Sequence, residues 1–162
     1  MGNSGLIVVL YPNGAGLNYI VCENPKELIR YGIARIRPLS VGAHLKRLQG
    51  FIKEYNPSLI LLRGYQDTDK RISKRVVRVI DAFEKQAIDQ GLSIYKYSRE
   101  DIKQAFLQFG KNTKYGISKT ISEWYPELQS RMPALRKNTT AEHYQMGVFD
   151  VFALMLTHYY LE

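Results

Sequence analysis

Two short, wholly aliphatic runs constrain this chain more than any other feature: residues 6–10 (LIVVL) and 59–62 (LILL). Runs of this length, apolar at every position and bounded by turn chemistry, match strands buried centrally in a sheet. The first stops at Tyr11-Pro12-Asn13-Gly14, where proline fixes φ and Asn-Gly tolerates positive φ. The second is preceded by Asn56-Pro57 and feeds into Arg63-Gly64-Tyr65.

The rest of the pattern fits around these strands. Residues 18–23 form the second arm of a hairpin, and 27–37 alternate enough to be a third strand ending at Pro38. Ser40 is a good N-cap for a helix to about Tyr55, with Val41, Leu45, Leu48 and Ile52 as its apolar positions. A long helix is predicted from about Lys70 to Gln90; Ile72, Val76, Val79, Ile80, Phe83 and Ala87 form its stripe and Gly91 its C′ residue. Residues 93–97 form a short strand and Ser98 caps the next helix. Residues 110–116 are a lysine-bearing loop, followed by a short helix carrying Ile117, Ile121 and Trp124. A last helix, capped near Thr139 or Thr140, extends almost to the C-terminus. Periodicity alone supports an α/β fold.

The chain has 162 residues, the size of one compact domain, with 45% hydrophobic and 23% charged residues. Its formal net charge of +8 favours polyanionic partners, either nucleic acid or an anionic membrane surface. Nothing else supports a membrane role. The longest apolar run is far too short to span a bilayer, no secretory signal is evident, and Leu6 stands where a myristoylation signal wants Ser or Thr. The single cysteine, Cys22, forms no internal disulfide. A cytoplasmic location is expected. His44, His143 and His158 are dispersed without zinc-ligand spacing, and Gly14 and Gly16 precede no helix, so they mark a hairpin turn rather than a phosphate loop.

Four segments, in order and at fitting spacing, resemble the RuvC family of Holliday-junction resolvases. Val9-Leu10-Tyr11-Pro12-Asn13 followed by Leu17-Asn18-Tyr19 is similar to that family's first strand and the Gly-Tyr pair beyond it. Pro57-Ser58-Leu59-Ile60-Leu61-Leu62 leading into Arg63 is similar to its fourth strand, which ends in a catalytic glutamate. Tyr95-Lys96-Tyr97-Ser98, Ile102-Lys103-Gln104 and Gly110-Lys111-Asn112-Thr113-Lys114 resemble the strand, helix and loop bearing the family's conserved lysines. Gly147-Val148-Phe149-Asp150-Val151-Phe152-Ala153, with Thr157-His158, aligns without a gap to its last helix.

The resemblance implies one RNase H-like domain over residues 1–162, with a central mixed five-stranded sheet flanked by helices. It also implies two-metal phosphodiester hydrolysis, in which Mg²⁺ or Mn²⁺ ions are held by several carboxylates. The positions matching those carboxylates are Tyr11, Arg63, Gly147 and Asp150, so only Asp150 retains a ligand and Arg63 brings fixed positive charge. Asp67, Asp69, Glu142 and His143 are the residues from which a shifted site would be rebuilt. Otherwise no cofactor is expected, and Asp150 is expected to pair with Arg63.

The expectation is therefore a catalytically inactive, nucleic-acid-binding relative that recognises DNA or RNA, with branched DNA as the candidate ligand. Lys103 and Lys114 match the family's phosphate-contacting lysines; Lys111, Arg71, Arg75 and Tyr65 lie beside them or at the fourth strand's exit. Tyr97 and Tyr115 lie among the same cations. Lys70, Lys74, Lys96 and Lys119 are read as ordinary solvating lysines. The family dimerises through the helix after its fourth strand, so a homodimer through the helix ending at Gln90 is one expectation. A metal-dependent endonuclease with a rearranged site and a protein-interaction module that kept the fold are the alternatives.

Overall fold

The computed structural model describes residues 5–36, 40–66, 69, 72–111, 113–132 and 146–161. In chain order the elements are β1 (Ile7–Asn13), β2 (Gly16–Asn24), β3 (Glu27–Ala34), α1 (Val41–Tyr55), β4 (Leu59–Arg63) and α2 (Lys74–Asp89). They continue with β5 (Ile94–Tyr97), α3 (Arg99–Leu107), α4 (Lys114–Trp124), a 3-10 turn (Pro126–Arg131) and α5 (Met146–Leu161). The strands form one mixed sheet in the order β3-β2-β1-β4-β5. β1–β2 and β2–β3 are antiparallel, whereas β1–β4 and β4–β5 are parallel.

The two aliphatic runs are β1 and β4, side by side at the centre. Alternation sends Val8, Leu10, Ile60 and Leu62 to the face covered by α1 and α2, and Ile7, Val9 and Leu61 to the face covered by α5. Both faces are dry, which is why neither strand carries a polar position until its end. α5 is buried all round from Met146 to Thr157, as a helix enclosed by a sheet and two further helices must be.

Several boundaries differ from the sequence reading. β1 continues through Tyr11 and Pro12 to Asn13, pairing with β2 to the end. Its parallel partner stops at the Leu10–Leu62 pair, so the proline lies where only one neighbour needs a ladder. The turn is Gly14-Ala15, fastened by the Asn13 side chain, which accepts from the N–H groups of Ala15 and Gly16 at 2.8 and 3.2 Å. Gly16 has φ +150 and would place a Cβ 2.6 Å from the Ala34 carbonyl oxygen. β3 ends at Ala34 rather than Arg37, and residues 37–39 lie outside the described residues.

α2 begins at Lys74, four residues later than expected, because Ser73 caps it by accepting from Val76 N–H at 3.2 Å. α4 begins inside the expected loop: Thr113 accepts from Gly116 N–H at 3.0 Å, so Lys114 is helical. α3 starts where Ser98 and Asp101 form a capping box. Gly91, at φ +72, follows the C-cap of α2 as expected. The caps near Thr139 and Thr140 lie outside the described residues.

The stripe of α2 (Val76, Val79, Ile80, Phe83, Ala87) is consumed by the core under α1 and the sheet. A dimer through this helix would therefore have to use its polar outer face. Among the described residues no helix is long and apolar enough to cross a membrane.

Candidate functional site

The carboxyl ends of β1, β4 and β5 open on one rim, and ligand sites of α/β sheets sit at such ends. β1 delivers Tyr11, β4 delivers Arg63, and β5 leads through Ser98 to Arg99, the first residue of α3. The first turn of α5 supplies Gly147 and, three residues on, Asp150. The N-terminus of α4 supplies Lys114. Tyr11, Arg99, Lys103, Lys114 and Asp150 line a crevice floored by Ile102, Ile117, Phe149 and Ala153.

Asp150 is buried, with 8% of its surface exposed. Its Oδ2 faces Lys114 Nζ at 3.5 Å but accepts no hydrogen bond among the described residues. The expected Arg63–Asp150 pair is thus replaced by Lys114–Asp150. Arg63 is held elsewhere: its guanidinium donates to the Pro12 carbonyl at 2.7 Å and lies 4.6 Å above the Tyr11 ring. That carbonyl lies past the end of the parallel ladder, so the arginine closes a backbone acceptor that β4 leaves open. Burial pushes the Asp150 carboxyl above the usual carboxylate range, and Lys114, Arg63 and Arg99 oppose the shift. Burial lowers the Lys114 ammonium, with Asp150 acting against it and Arg99 and Arg63 reinforcing it. The Tyr11 hydroxyl is raised by burial and then by Asp150.

Gly147 is closed to any side chain. The Asn18 carboxamide occupies the place where a Cβ would stand, and its Nδ2 donates to the Tyr11 carbonyl at 3.2 Å. Strand alternation puts Asn18 on the α5 face with Ile20 and Cys22. A polar residue at an inward-facing position of an apolar strand is the sequence signal of this contact.

Divalent metal does not fit the described donor set. One carboxylate paired with an ammonium cannot replace the several hard oxygens that a pair of Mg²⁺ ions needs. No group of three His, Cys, Asp or Glu side chains suited to a metal ion occurs among the described residues. Asp69 is near enough to act on Tyr11; Asp67, Glu142 and His143 lie outside the described residues.

The remaining candidates are scattered around this centre. Lys103 lines the crevice and pairs with Glu100 at 3.7 Å. Lys111 is exposed at the α3–α4 junction, Arg75 is exposed on the first turn of α2, and Arg71 lies outside the described residues. Tyr65 is tied to α2, donating to Asp81 at 2.7 Å. Tyr97 is a core residue, its hydroxyl 2.9 Å from His158 Nδ1, so it offers no platform for bases; that contact also gives His158 a packing role. Tyr115 is half-buried on α4, and Lys96 pairs with Glu84 at 2.8 Å. Arg99 lines the crevice although no motif singles it out. Its signal is its place directly after a strand-ending cap, Ser98, at the sheet's carboxyl edge.

Lys114 occupies the first position of α4, which has no acidic residue in its first turn. A cation there opposes the helix dipole at a cost of about 0.3–1 kcal/mol.

Compared with solved structures, the chain superposes on Thermus thermophilus RuvC with a TM-score of 0.64 at 16% identity, covering 96% of this chain and 93% of that one. The fold is that of RuvC. Similar values hold for T. thermophilus RuvC in complex with a Holliday junction substrate: TM-score 0.60, 16% identity, 96% and 92% coverage. The yeast mitochondrial Holliday junction resolvase Ydc2 matches with TM-score 0.61 at 8% identity, over 96% of this chain and 78% of that one. No protein-family model matches the sequence, and no relative is found among curated proteins. The RuvC-like, RNase H-like architecture inferred from four short motifs therefore holds over nearly the whole chain.

Proposed function

We propose that this domain binds branched DNA through the crevice at the carboxyl rim of its sheet, and does not cleave it. The observation that carries this reading is the crevice that Arg99, Lys103 and Lys114 line together with Asp150. Three cations thus share a crevice with one carboxylate at the carboxyl edge of the sheet, where α/β folds bind ligands. Such a centre attracts phosphate and repels divalent ions. The Thermus RuvC solved with a Holliday junction substrate supports a four-way junction as the first ligand to try. Lys103 and Lys111 extend the positive surface along α3 and its exit, and Arg75 adds charge at the start of α2.

The test is binding to a four-way junction, a matched duplex and a single strand of DNA, with RNA counterparts, across a salt series. The junction is expected to bind most tightly, with log affinity falling against log salt by about 0.9 per contacted phosphate. The junction is expected to stay intact in Mg²⁺ or Mn²⁺. Cutting that disappears in Asp150→Asn would establish a nuclease instead. Affinity indifferent to salt, or absent for every nucleic acid, would leave a protein-interaction role.

A further inference from the structure

We propose that two copies of this chain associate through an aromatic face built where α3, α4 and α5 end. Phe109 follows α3, Trp124 closes α4 and Tyr160 lies in the last turn of α5. The Phe109 ring stands 5.1 Å from Trp124 and 5.2 Å from Tyr160, and those two are 6.1 Å apart. Beneath them the fully buried Phe106 lies 6.1, 6.2 and 6.3 Å from Phe109, Trp124 and Tyr160. Each residue of the outer trio keeps 37–40% of its surface exposed, so the stack is fixed from below and open above. Part-exposed aromatic groups already held in place anchor protein interfaces, because little rotamer freedom is left to lose on docking. Asp150 and Tyr160 are about 15 Å apart along the axis of α5, so this face is separate from the crevice.

Charge selects the occupant. The stretches that build this face, residues 104–110, 120–130 and 146–161, contain no lysine or arginine, although the chain has 23. A patch without cations is a poor match for nucleic acid. It is also the surface on which two copies, each with a formal charge of +8, meet with least repulsion. The area agrees. Leu107, Tyr159 and Leu161, also exposed, flank the trio along the chain. Together the six side chains present roughly 400–500 Å² of apolar surface at the usual size of such groups. That is a little over half of the ~800 Å² that each partner of a standard interface buries, and a little over half is the apolar share such interfaces have. Helix α2, by contrast, commits its stripe to the core and exposes Lys74, Arg75 and Arg78. The occupant is therefore a second copy, the stack of one chain set against that of the other about a two-fold axis.

Analytical ultracentrifugation of the full chain, without nucleic acid and from roughly 1 to 100 µM, tests this. A reversible monomer–dimer equilibrium is expected. It should tighten as salt rises, because screening removes the repulsion between two basic chains. Trp124 is the only tryptophan, so its emission should shift to the blue over the same concentration range. Phe109→Glu and Tyr160→Glu should each weaken association roughly tenfold or more, whereas Arg78→Glu on α2 should leave it unchanged. Since Phe109→Glu also disturbs the packing over Phe106, Tyr160→Ser at the helix end serves as the milder variant, and thermal melting checks that each protein is folded. A chain that stays monomeric at the highest concentration in high salt would overturn the proposal and leave this face to a different protein. So would a dimer that weakens with salt, one that Arg78→Glu dissociates, one indifferent to Tyr160→Glu, or one that forms with no change in Trp124 emission.

Discussion

Asn18 and Gly147 are complementary: the carboxamide of one lies in the space a side chain on the other would require. The two elements that carry them, β2 and α5, are therefore in direct contact at this point. A glycine in a helix is ordinarily replaced by alanine with a gain of up to about 1 kcal/mol. Here overpacking of a buried contact, about 1–3 kcal/mol, should win, and Gly147→Ala should be destabilising. Asn18→Ala in the same chain should recover most of the loss. Urea denaturation of the four-member cycle measures the coupling, and a Gly147→Ala protein more stable than wild type would contradict the packing described.

Arg63 is anchored to its surroundings by the Pro12 carbonyl and the Tyr11 ring. Arg63→Met removes a charge-assisted hydrogen bond and a cation–π contact. Since the side chain is only partly buried, the expected loss is about 1–2 kcal/mol. Arg63→Glu, which places a carboxylate at the β4 terminus, is expected to lose the same stability and gain no Mg²⁺-dependent cleavage. Tyr11 and Gly147 still supply no ligand. A melting series and a junction-cleavage assay check both outcomes.

Asp150 carries a proton more readily in the folded protein than in the unfolded chain, because burial outweighs its cationic neighbours. A raised carboxylate pKa means the native state binds more protons above the unfolded value, so this group penalises folding at neutral pH and the penalty fades on acidification. Relative to Asp150→Asn, wild type should therefore gain stability as pH falls from 7 towards 4. The difference between the two denaturation profiles is the measurement, and a difference that grows in the opposite sense would contradict a desolvated carboxylate.

His44 behaves oppositely. Its Nδ1 donates to the Ser40 carbonyl at 2.8 Å, whereas Nε2 is buried without a hydrogen bond among the described residues. The ring lies 6.0 Å from that of Phe83. Burial lowers its pKa below the ordinary 6.5. The unfolded chain then binds more protons around that pH, so stability is full above it and declines as pH drops through the range where free histidine titrates. Substituting His44→Gln should flatten the stability profile between about pH 5 and 7; an unchanged slope would assign the decline to other groups.

The central sheet was readable from sequence because β1 and β4 must shed water on both faces, which forces an uninterrupted aliphatic run. Caps at Ser40 and Ser98 were equally plain. Those at Ser73 and Thr113 are hidden in the sequence, since Ile72 extends one stripe backwards and Gly110 to Gly116 has the composition of a loop. The site was half legible. Motif order groups Tyr11, Arg63, Gly147 and Asp150; in the structure Tyr11 and Asp150 line the crevice, Arg63 lies over the Tyr11 ring and Gly147 abuts Asn18. The choice of Lys114 over Arg63 as Asp150's partner depends on an open carbonyl at Pro12 that exists only once β1 outruns β4. Nothing in local sequence reports that.

Helix α5 follows every other described element along the chain, yet it forms the inner layer against β1, β2 and β4. As a nascent polypeptide leaves the ribosome, the sheet can close only the side that α1 and α2 cover. Its opposite side, which α3 meets only along β5, keeps most of its apolar surface uncovered until α5 emerges. Co-translational collapse is accordingly expected to be one-sided, with aliphatic surface exposed in the interval before α5 docks.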